Sequence, residues 1–314
     1  MTDATTTRGN HHSALWRRIW NCRVLYLLIL PLIVWYVMFC YMPMAGLYLA
    51  FERFSYKGGI WGSAWVGLNN FHEFFSDGEF LRALRNTVIF SLGKLALQFP
   101  TAIILALALN ELRHARIKKL YQTVFTFPHF ISWVVMAGIL KNMFASNGVI
   151  NQLLTVWGMD AISPLLSKTG FRPFIWFSNI WKEAGWDTII YMAALAGIDP
   201  GLYEAAEIDG ANRWRKIWHI TLPGIRSTIL IMLILEIGRI MTTGASFDQV
   251  FNLYSSPVYE VADTIDTYIY RTSFGGTKNF GYTTAVGLSK SIIGVLMMLG
   301  ANRLVTACGE DGLF

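Results

Sequence analysis

Six apolar stretches recur along this chain of 314 residues, at about 24–50, 87–109, 121–144, 173–198, 228–250 and 284–305, each close to the roughly 20 residues that a helix needs to cross about 30 Å of hydrocarbon. No soluble fold requires that spacing. Composition agrees, with 54% hydrophobic and 15% charged residues against about 25% charged in ordinary globular proteins, and a mean hydropathy of +0.41. Length alone allows one or two soluble domains; the apolar pattern predicts instead one all-α membrane domain with six transmembrane helices. The fourth and fifth stretches are interrupted by charged residues.

Lysine and arginine set the expected orientation. Arg8, Arg17, Arg18 and Arg23 precede the first stretch, and Arg113, Arg116, Lys118 and Lys119 crowd the loop after the second. Arg213, Arg215, Lys216 and Arg226 fill the loop between the fourth and fifth, and Arg303 ends the sixth. These 13 basic residues lie on one side; Arg53, Lys57, Arg82, Arg85, Lys168, Arg172, Arg271 and Lys278, which are 8, are spread over longer connections on the other. The positive-inside effect then places both termini in the cytoplasm. The division expected is an N-terminal segment 1–23, a membrane domain 24–306 and a cytoplasmic tail 307–314.

The net charge of +6 resides at the ends of apolar runs rather than on one basic face, which argues against nucleic-acid binding. Cys22, Cys40 and Cys308 have neither metal-binding nor redox spacing. The stretch at 24–50 is too long for a signal-peptide core and lacks a small-residue cleavage site. Leu15, Trp16, Ile19 and Trp20 recur at helical spacing beside Arg17 and Arg18, as in a short helix at the lipid interface. The connections 52–86, 145–172 and 251–283 read as loops or short interfacial helices; their Trp and Phe residues suit the headgroup region.

Between the fourth and fifth stretches, Asp199-Pro200 reads as an acidic cap followed by proline in a first helical turn. A short helix, 202–209, carries Ala205 and Ala206, Gly210 permits a reversal, and a second helix, 212–220, follows with Trp214, Ile217 and Trp218 on one face. Pro223 limits its continuation. The residues leave two readings of this hairpin: a pair of helices resting on lipid, or a small-surfaced element presented to a partner.

The sequence Glu204-Ala205-Ala206, three residues, Gly210, nine residues, Ile220-x-Leu222-Pro223 resembles the EAA loop of binding-protein-dependent ABC importer permeases at every position. Gly67-Leu68-Asn69-Asn70-Phe71, Leu84-Arg85-Asn86-Thr87, Pro128-His129-Phe130-Ile131-Ser132-Trp133, Ile180-Trp181-Lys182-Glu183 and the final Leu313-Phe314 are similar to the LplB-like carbohydrate-uptake group, so the likeness covers nearly the whole chain. It implies a type I importer permease fold with a core at about 82–305 and a coupling loop at 199–225, in a bacterial inner membrane. Glu204, Ala205, Ala206, Glu207, Asp209, Gly210, Leu222 and Pro223 would form the ATPase-coupling element. The implied partners are a second homologous permease, two ATP-binding subunits, an extracytoplasmic solute-binding protein and an oligosaccharide. ATP and Mg would be bound by the partner ATPase; this chain lacks a Gly-x4-Gly-Lys-[Ser/Thr] loop and is expected to bind no cofactor and to catalyse nothing itself.

Charged and polar groups inside apolar stretches are costly and mark either a path or a structural pair. The fourth stretch carries Asn179, Lys182, Glu183, Trp186 and Asp187, and the fifth Glu236 and Arg239, three apart on one helical face. Lys94 and Gln98 are in the second, His129 and Trp133 in the third, and Lys290 in the sixth. By likeness to the maltose importer, whose sugar site is built by the helices flanking the EAA loop, Asn179, Lys182, Glu183, Trp186, Glu236 and Arg239 would line the substrate path. Charge at these positions, where neutral sugars favour amides and hydroxyls, suggests a uronate oligosaccharide such as alginate or a pectin fragment, its carboxylates meeting Lys182 and Arg239. The rival reading is a secondary transporter whose intramembrane carboxylates couple to protons or sodium. An intramembrane enzyme is disfavoured, because no His-Glu-x-x-His, Gly-x-Ser-x-Gly or paired-aspartate pattern occurs.

Overall fold

A computed structural model describes residues 20–241, 246–275, 280–307, 309, 312 and 313. The interfacial helix expected around Leu15, Trp16 and Ile19 lies outside the described residues, as do Lys278, Cys308 and residues 242–245 of the fifth stretch. The described chain is mostly helical; its one sheet pairs β1 (Glu52–Arg53) antiparallel with β2 (Ala64–Trp65).

The first rod starts as α1 (Arg23–Tyr36), passes through a π-type turn at Val37–Tyr41 and ends as a 3₁₀ helix at Met42–Phe51. No residue of α1 is buried within the chain. After the β-hairpin comes α2 (Asn69–Phe75), whose Asn70 carboxamide donates to the carbonyls of Ala50 and Glu52 at 2.9 and 3.0 Å. The long helix α3 (Gly78–Asn110) follows, capped by the Asp77 carboxylate, which accepts from the Glu79 N–H at 2.8 Å. That cap moves the helix start to Gly78 from the expected 87, turning part of a supposed outer loop into helix.

The third stretch is a broken helix rather than a straight span. α4 (Ala115–Thr126) runs into a 3₁₀ turn at Phe127–Phe130, and α5 (Trp133–Met143) leaves at 98° to it. Pro128 removes a donor there, and the Ser132 hydroxyl caps the new helix by accepting from the Val135 N–H at 3.3 Å. After α6 (Val149–Val156), α7 (Phe171–Ala196) returns along α3. The hairpin is α8 (Pro200–Ile208) followed by a second arm, α9 (Arg213–Gly224), and α10 (Arg226–Gly238) leaves at 61°. The second arm therefore runs through Pro223 and stops at Ile225, longer than the expected 212–220. A π-type turn at Ile217–Thr221 precedes the proline, and widening there gives its ring room against the carbonyl four residues back. α11 (Phe247–Leu253), α12 (Tyr259–Ala262), α13 (Ile265–Phe274) and α14 (Phe280–Ala307) complete the chain.

Among the described residues, three helices are long and apolar enough to cross a membrane (Arg23–Phe51, α3 and α14), or five when each bent pair counts as one span. α7 has 26 residues, about 39 Å at 1.5 Å per residue, and carries Arg172, Lys182, Glu183 and Asp187 along that length.

Three apolar clusters follow one another along α3. Phe80 and Ala83 pack with Phe74, Tyr268 and Tyr282; Phe90 with Met136, Phe171 and Leu253; Ala102 and Ala106 with Tyr191, Leu195 and Ile225. Near its middle α7 meets the end of α4 backbone to backbone. A Cβ added at Gly185 would lie 2.1 Å from the Phe125 carbonyl oxygen, so only glycine permits this crossing. At the Gly78 end of α3, the hydroxyls of Tyr268 and Tyr282 both donate to Asp77 Oδ2, at 2.9 and 3.1 Å. Burial pushes the Asp77 carboxyl up, but these hydrogen bonds and those from the Glu79 and Phe80 N–H groups outweigh it and hold the group below its ordinary value.

Candidate functional site

Helical spacing puts Asn179, Glu183 and Asp187 on one face of α7, four residues apart. That face, with Lys94 and Gln98 of α3, Trp133 of α5 and Glu236 of α10, borders a cavity of about 410 Å³; Arg239, Ser246 and Phe247 close it. The Asn179 amide donates to Gln98 Oε1, and the Gln98 amide donates to Asp187 Oδ2, so three polar side chains bind α3 to α7 across the wall. Arg239 and Glu236 stand 3.8 Å apart, and the arginine side chain is 56% exposed. Lys94 makes no hydrogen bond or ion pair among the described residues. The cavity thus presents two cations, three carboxylates, an amide pair and an indole: acceptors for hydroxyls, donors for carboxylates and a flat apolar face.

Behind the wall is a second group. Lys182, 4% exposed, donates to Glu183 Oε1 at 2.9 Å and to the His129 carbonyl at 2.7 Å. His129 Nδ1 shares a hydrogen bond with Glu183 Oε2 at 2.6 Å, and the Trp186 indole stacks on the imidazole at 4.2 Å and 6°. The Lys182 ammonium is also 5.5 Å from the centre of the Trp133 ring, within cation–π range. This group ties α7 to the break between α4 and α5.

Four of the six residues expected on the path, Asn179, Glu183, Glu236 and Arg239, meet at one cavity; Lys182 and Trp186 stand one position round the helix and do not line it. Trp133 lines the cavity, whereas His129 holds Glu183 from behind. Lys94, Gln98 and Asp187 are conspicuous as polar residues in apolar stretches, yet nothing in their spacing assigned them to this wall. Ser246 and Phe247 carried no signal, since they begin α11 beyond any intramembrane charge. Lys290 pairs with Asp266 of α13, away from the cavity.

At the other end of α7 the hairpin is built from local signals. Pro200 occupies the first turn of α8, and Asp199 caps it by accepting from the Gly201 N–H at 2.9 Å. The Gly210 N–H donates to the Glu207 carbonyl at 3.1 Å and the Ala211 N–H to that of Ala206 at 2.9 Å, the paired bonds of a Schellman turn, with Gly210 at φ +72°. Asn212 caps α9 through the Arg215 N–H at 2.9 Å. Two contacts fix the arms: Lys216 to Glu207 at 2.7 Å, and Tyr203 to Thr221 hydroxyl at 3.0 Å. The hydrogen bond from Lys216, its charge and that of Arg113 hold the Glu207 carboxyl below its ordinary value. Glu204, Ala205 and Asp209 are exposed and Ala206 half-buried. Beside them Ile208 is 88% exposed, an apolar residue directed away from its own chain. Leu222 and Pro223 lie at the far end of α9, below the core.

Residues 98–307 match the family model of the binding-protein-dependent transport system inner membrane component. The chain is 41% identical over 313 residues to the polygalacturonan/rhamnogalacturonan transport system permease protein YteP of Bacillus subtilis (strain 168), covering 99% of this chain and 97% of that one. It is 44% identical over 292 residues to protein LplB of the same organism, covering 92% and 91%. Its fold matches a chain in the crystal structure of a bacterial alginate ABC transporter in complex with an alginate pentasaccharide-bound periplasmic protein, with TM-score 0.86, 38% identity, and coverage of 95% of this chain and 99% of that chain. Permease subunits of ABC transporters are non-catalytic, and ATP hydrolysis is the work of a separate ATPase. The chain belongs to the binding-protein-dependent inner membrane component family and is a permease subunit of an ABC importer for sugars.

Proposed function

We propose that this chain forms half of a translocation path for an acidic, uronate-containing oligosaccharide, and that the 200–224 hairpin couples it to an ATPase. The observation that carries the substrate reading is Arg239, which lines the cavity with over half of its side chain exposed. With Lys94 across the wall it supplies the cations for uronate carboxylates, since guanidinium groups suit bidentate carboxylate recognition. Glu183 and Asp187 are engaged by protein donors and retain lone pairs for sugar hydroxyls, while Trp133 offers a face for a ring. Lys182 leaves the earlier assignment for a structural one, because its ammonium is already bonded twice. Two relatives agree in charge: alginate and polygalacturonan, named for those proteins, are both polymers of uronic acids.

The complete transporter in this reading adds a second, homologous permease, two ATPase subunits that bind ATP and Mg, and an external solute-binding protein. The chain crosses the bacterial inner membrane six times with both termini in the cytoplasm. Exposed Glu204, Ala205, Asp209 and Ile208 enter the ATPase, Glu207 and Gly210 hold the hairpin in shape, and Leu222 and Pro223 join it to the core. The test is ATPase activity of the assembled complex with its binding protein, compared across acidic and neutral oligosaccharides. Acidic ligands should stimulate more, and Arg239→Gln should remove that preference. Equal stimulation by neutral ligands would sink the substrate reading. Uptake that persists with ATPase-dead subunits would instead establish ion coupling.

A further inference from the structure

Between the last turns of α3 and the second arm of the hairpin is a separate groove of about 580 Å³, lined by Ile104, Leu107, Ala108, Trp214 and Trp218, with Glu111 at one end. Glu111 is the one charged residue on its wall among the described residues. The two indoles are 70% and 64% exposed, at the end of a membrane-spanning helix, where tryptophan favours the headgroup level. The chain on either side of the lining residues is rich in basic groups. Arg213 and Arg215 flank Trp214, and Arg113, Arg116, Lys118 and Lys119 follow Glu111 within eight positions. None of these six side chains makes a hydrogen bond or ion pair among the described residues. Lys216, the remaining cation of α9, is taken by Glu207.

We propose that this groove is a binding site for an anionic phospholipid. One acyl chain lies along the apolar wall between α3 and α9, and the phosphate is held by Arg213 and Arg215, which flank Trp214, with Arg113 beyond Glu111. Charge complementarity selects this occupant. A protein face laid on the groove has to neutralise Arg213 and Arg215 beside Trp214 and the basic residues that follow Glu111 in the chain, whereas an anionic headgroup does so while its tail fills the apolar part. The lipid then bridges a spanning helix and the coupling hairpin.

The test uses the assembled transporter in bilayers of phosphatidylcholine containing a minor fraction of either brominated phosphatidylglycerol or brominated phosphatidylcholine. Bromine on the tails quenches nearby indoles, and the signal of Trp214 and Trp218 is the difference between the parent complex and one carrying Trp214→Phe and Trp218→Phe. Phosphatidylglycerol should quench that difference several-fold more than phosphatidylcholine at the same fraction, and Arg213→Gln with Arg215→Gln should abolish the preference. Equal quenching by the two lipids would mean bulk boundary lipid only and would overturn the site. Absence of quenching in a wholly brominated bilayer would overturn it too, by showing the groove covered by protein, such as the second permease. If the Phe variants fail to assemble, native mass spectrometry of the parent complex decides. Phosphatidylglycerol retained over phosphatidylcholine after purification from a mixture supports the site, and no selective retention refutes it.

Discussion

Gly185→Ala tests the junction on which the cavity depends. The added methyl group would stand 2.1 Å from the Phe125 carbonyl oxygen and 2.7 Å from the Thr126 nitrogen. Both are backbone atoms, which no rotamer change can move. Ordinary contact begins at 3.4 Å, so α7 and α4 have to separate by more than an ångström. Two residues away, the 2.6 Å bond between His129 and Glu183 is stretched past the roughly 3.5 Å beyond which no hydrogen bond remains. Overpacking costs about 1–3 kcal/mol, and loss of a hydrogen bond to a charged group adds about 1.5–3 kcal/mol. The complex should therefore melt several degrees lower, and ligand-stimulated ATPase activity should fall because Glu183 no longer faces the cavity as it does in the parent. Gly300→Ala is the control, since a methyl group there meets nothing within 4 Å. Parent-like melting and stimulation in Gly185→Ala would refute the close crossing and the role given to His129.

Three further outcomes follow from single contacts. Gly210→Val forces a β-branched residue to φ +72°, a conformation costing about 1–2 kcal/mol; co-purification of the ATPase should drop, and Gly210→Asn should lose less because asparagine tolerates that region. Lys182→Met leaves Glu183 without its ammonium partner and should destabilise the complex by about 3 kcal/mol in thermal melts. The Asp77 carboxyl titrates below its ordinary value in the fold, so its hydrogen bonds contribute fully above the unfolded value of about 3.9. Their contribution is lost as pH falls through the lower folded value. Asp77→Asn should accordingly melt below the parent at pH 7, with the gap closing in acid.

The hairpin was the most legible part of the sequence because each of its signals is local: Asp199 before Pro200, Gly210 after the first helix, Pro223 near the end of the second. The long apolar runs were equally plain, but their geometry was not. Hydropathy averages over a window and cannot see that Pro128 and Ser132 split one run into two helices at 98°. In the same way Asp77 was invisible as a cap until Gly78–Asn86 proved helical. For the cavity, intramembrane charge marked the correct helices, while the choice between Lys182 and Asp187 as a wall residue depends on the rotation of α7, which Gly185 fixes by packing. Ser246 and Phe247 reach the cavity only through the tertiary path of the chain.

The break between α4 and α5 also has an electrostatic consequence. Cutting a helix exposes two opposite poles, carbonyls at the end of one piece and amides at the start of the next. Here the poles are treated unequally. The negative one is quenched, since the Lys182 ammonium is bonded to the His129 carbonyl in the last turn of the first piece. The positive one begins at Trp133, which lines the cavity, and has only the long cap from the Ser132 hydroxyl, which accepts from the Val135 N–H at 3.3 Å. A proline and a serine thus leave the break with two unequally compensated poles, a fixed dipole that needs no titratable group and does not vary with pH.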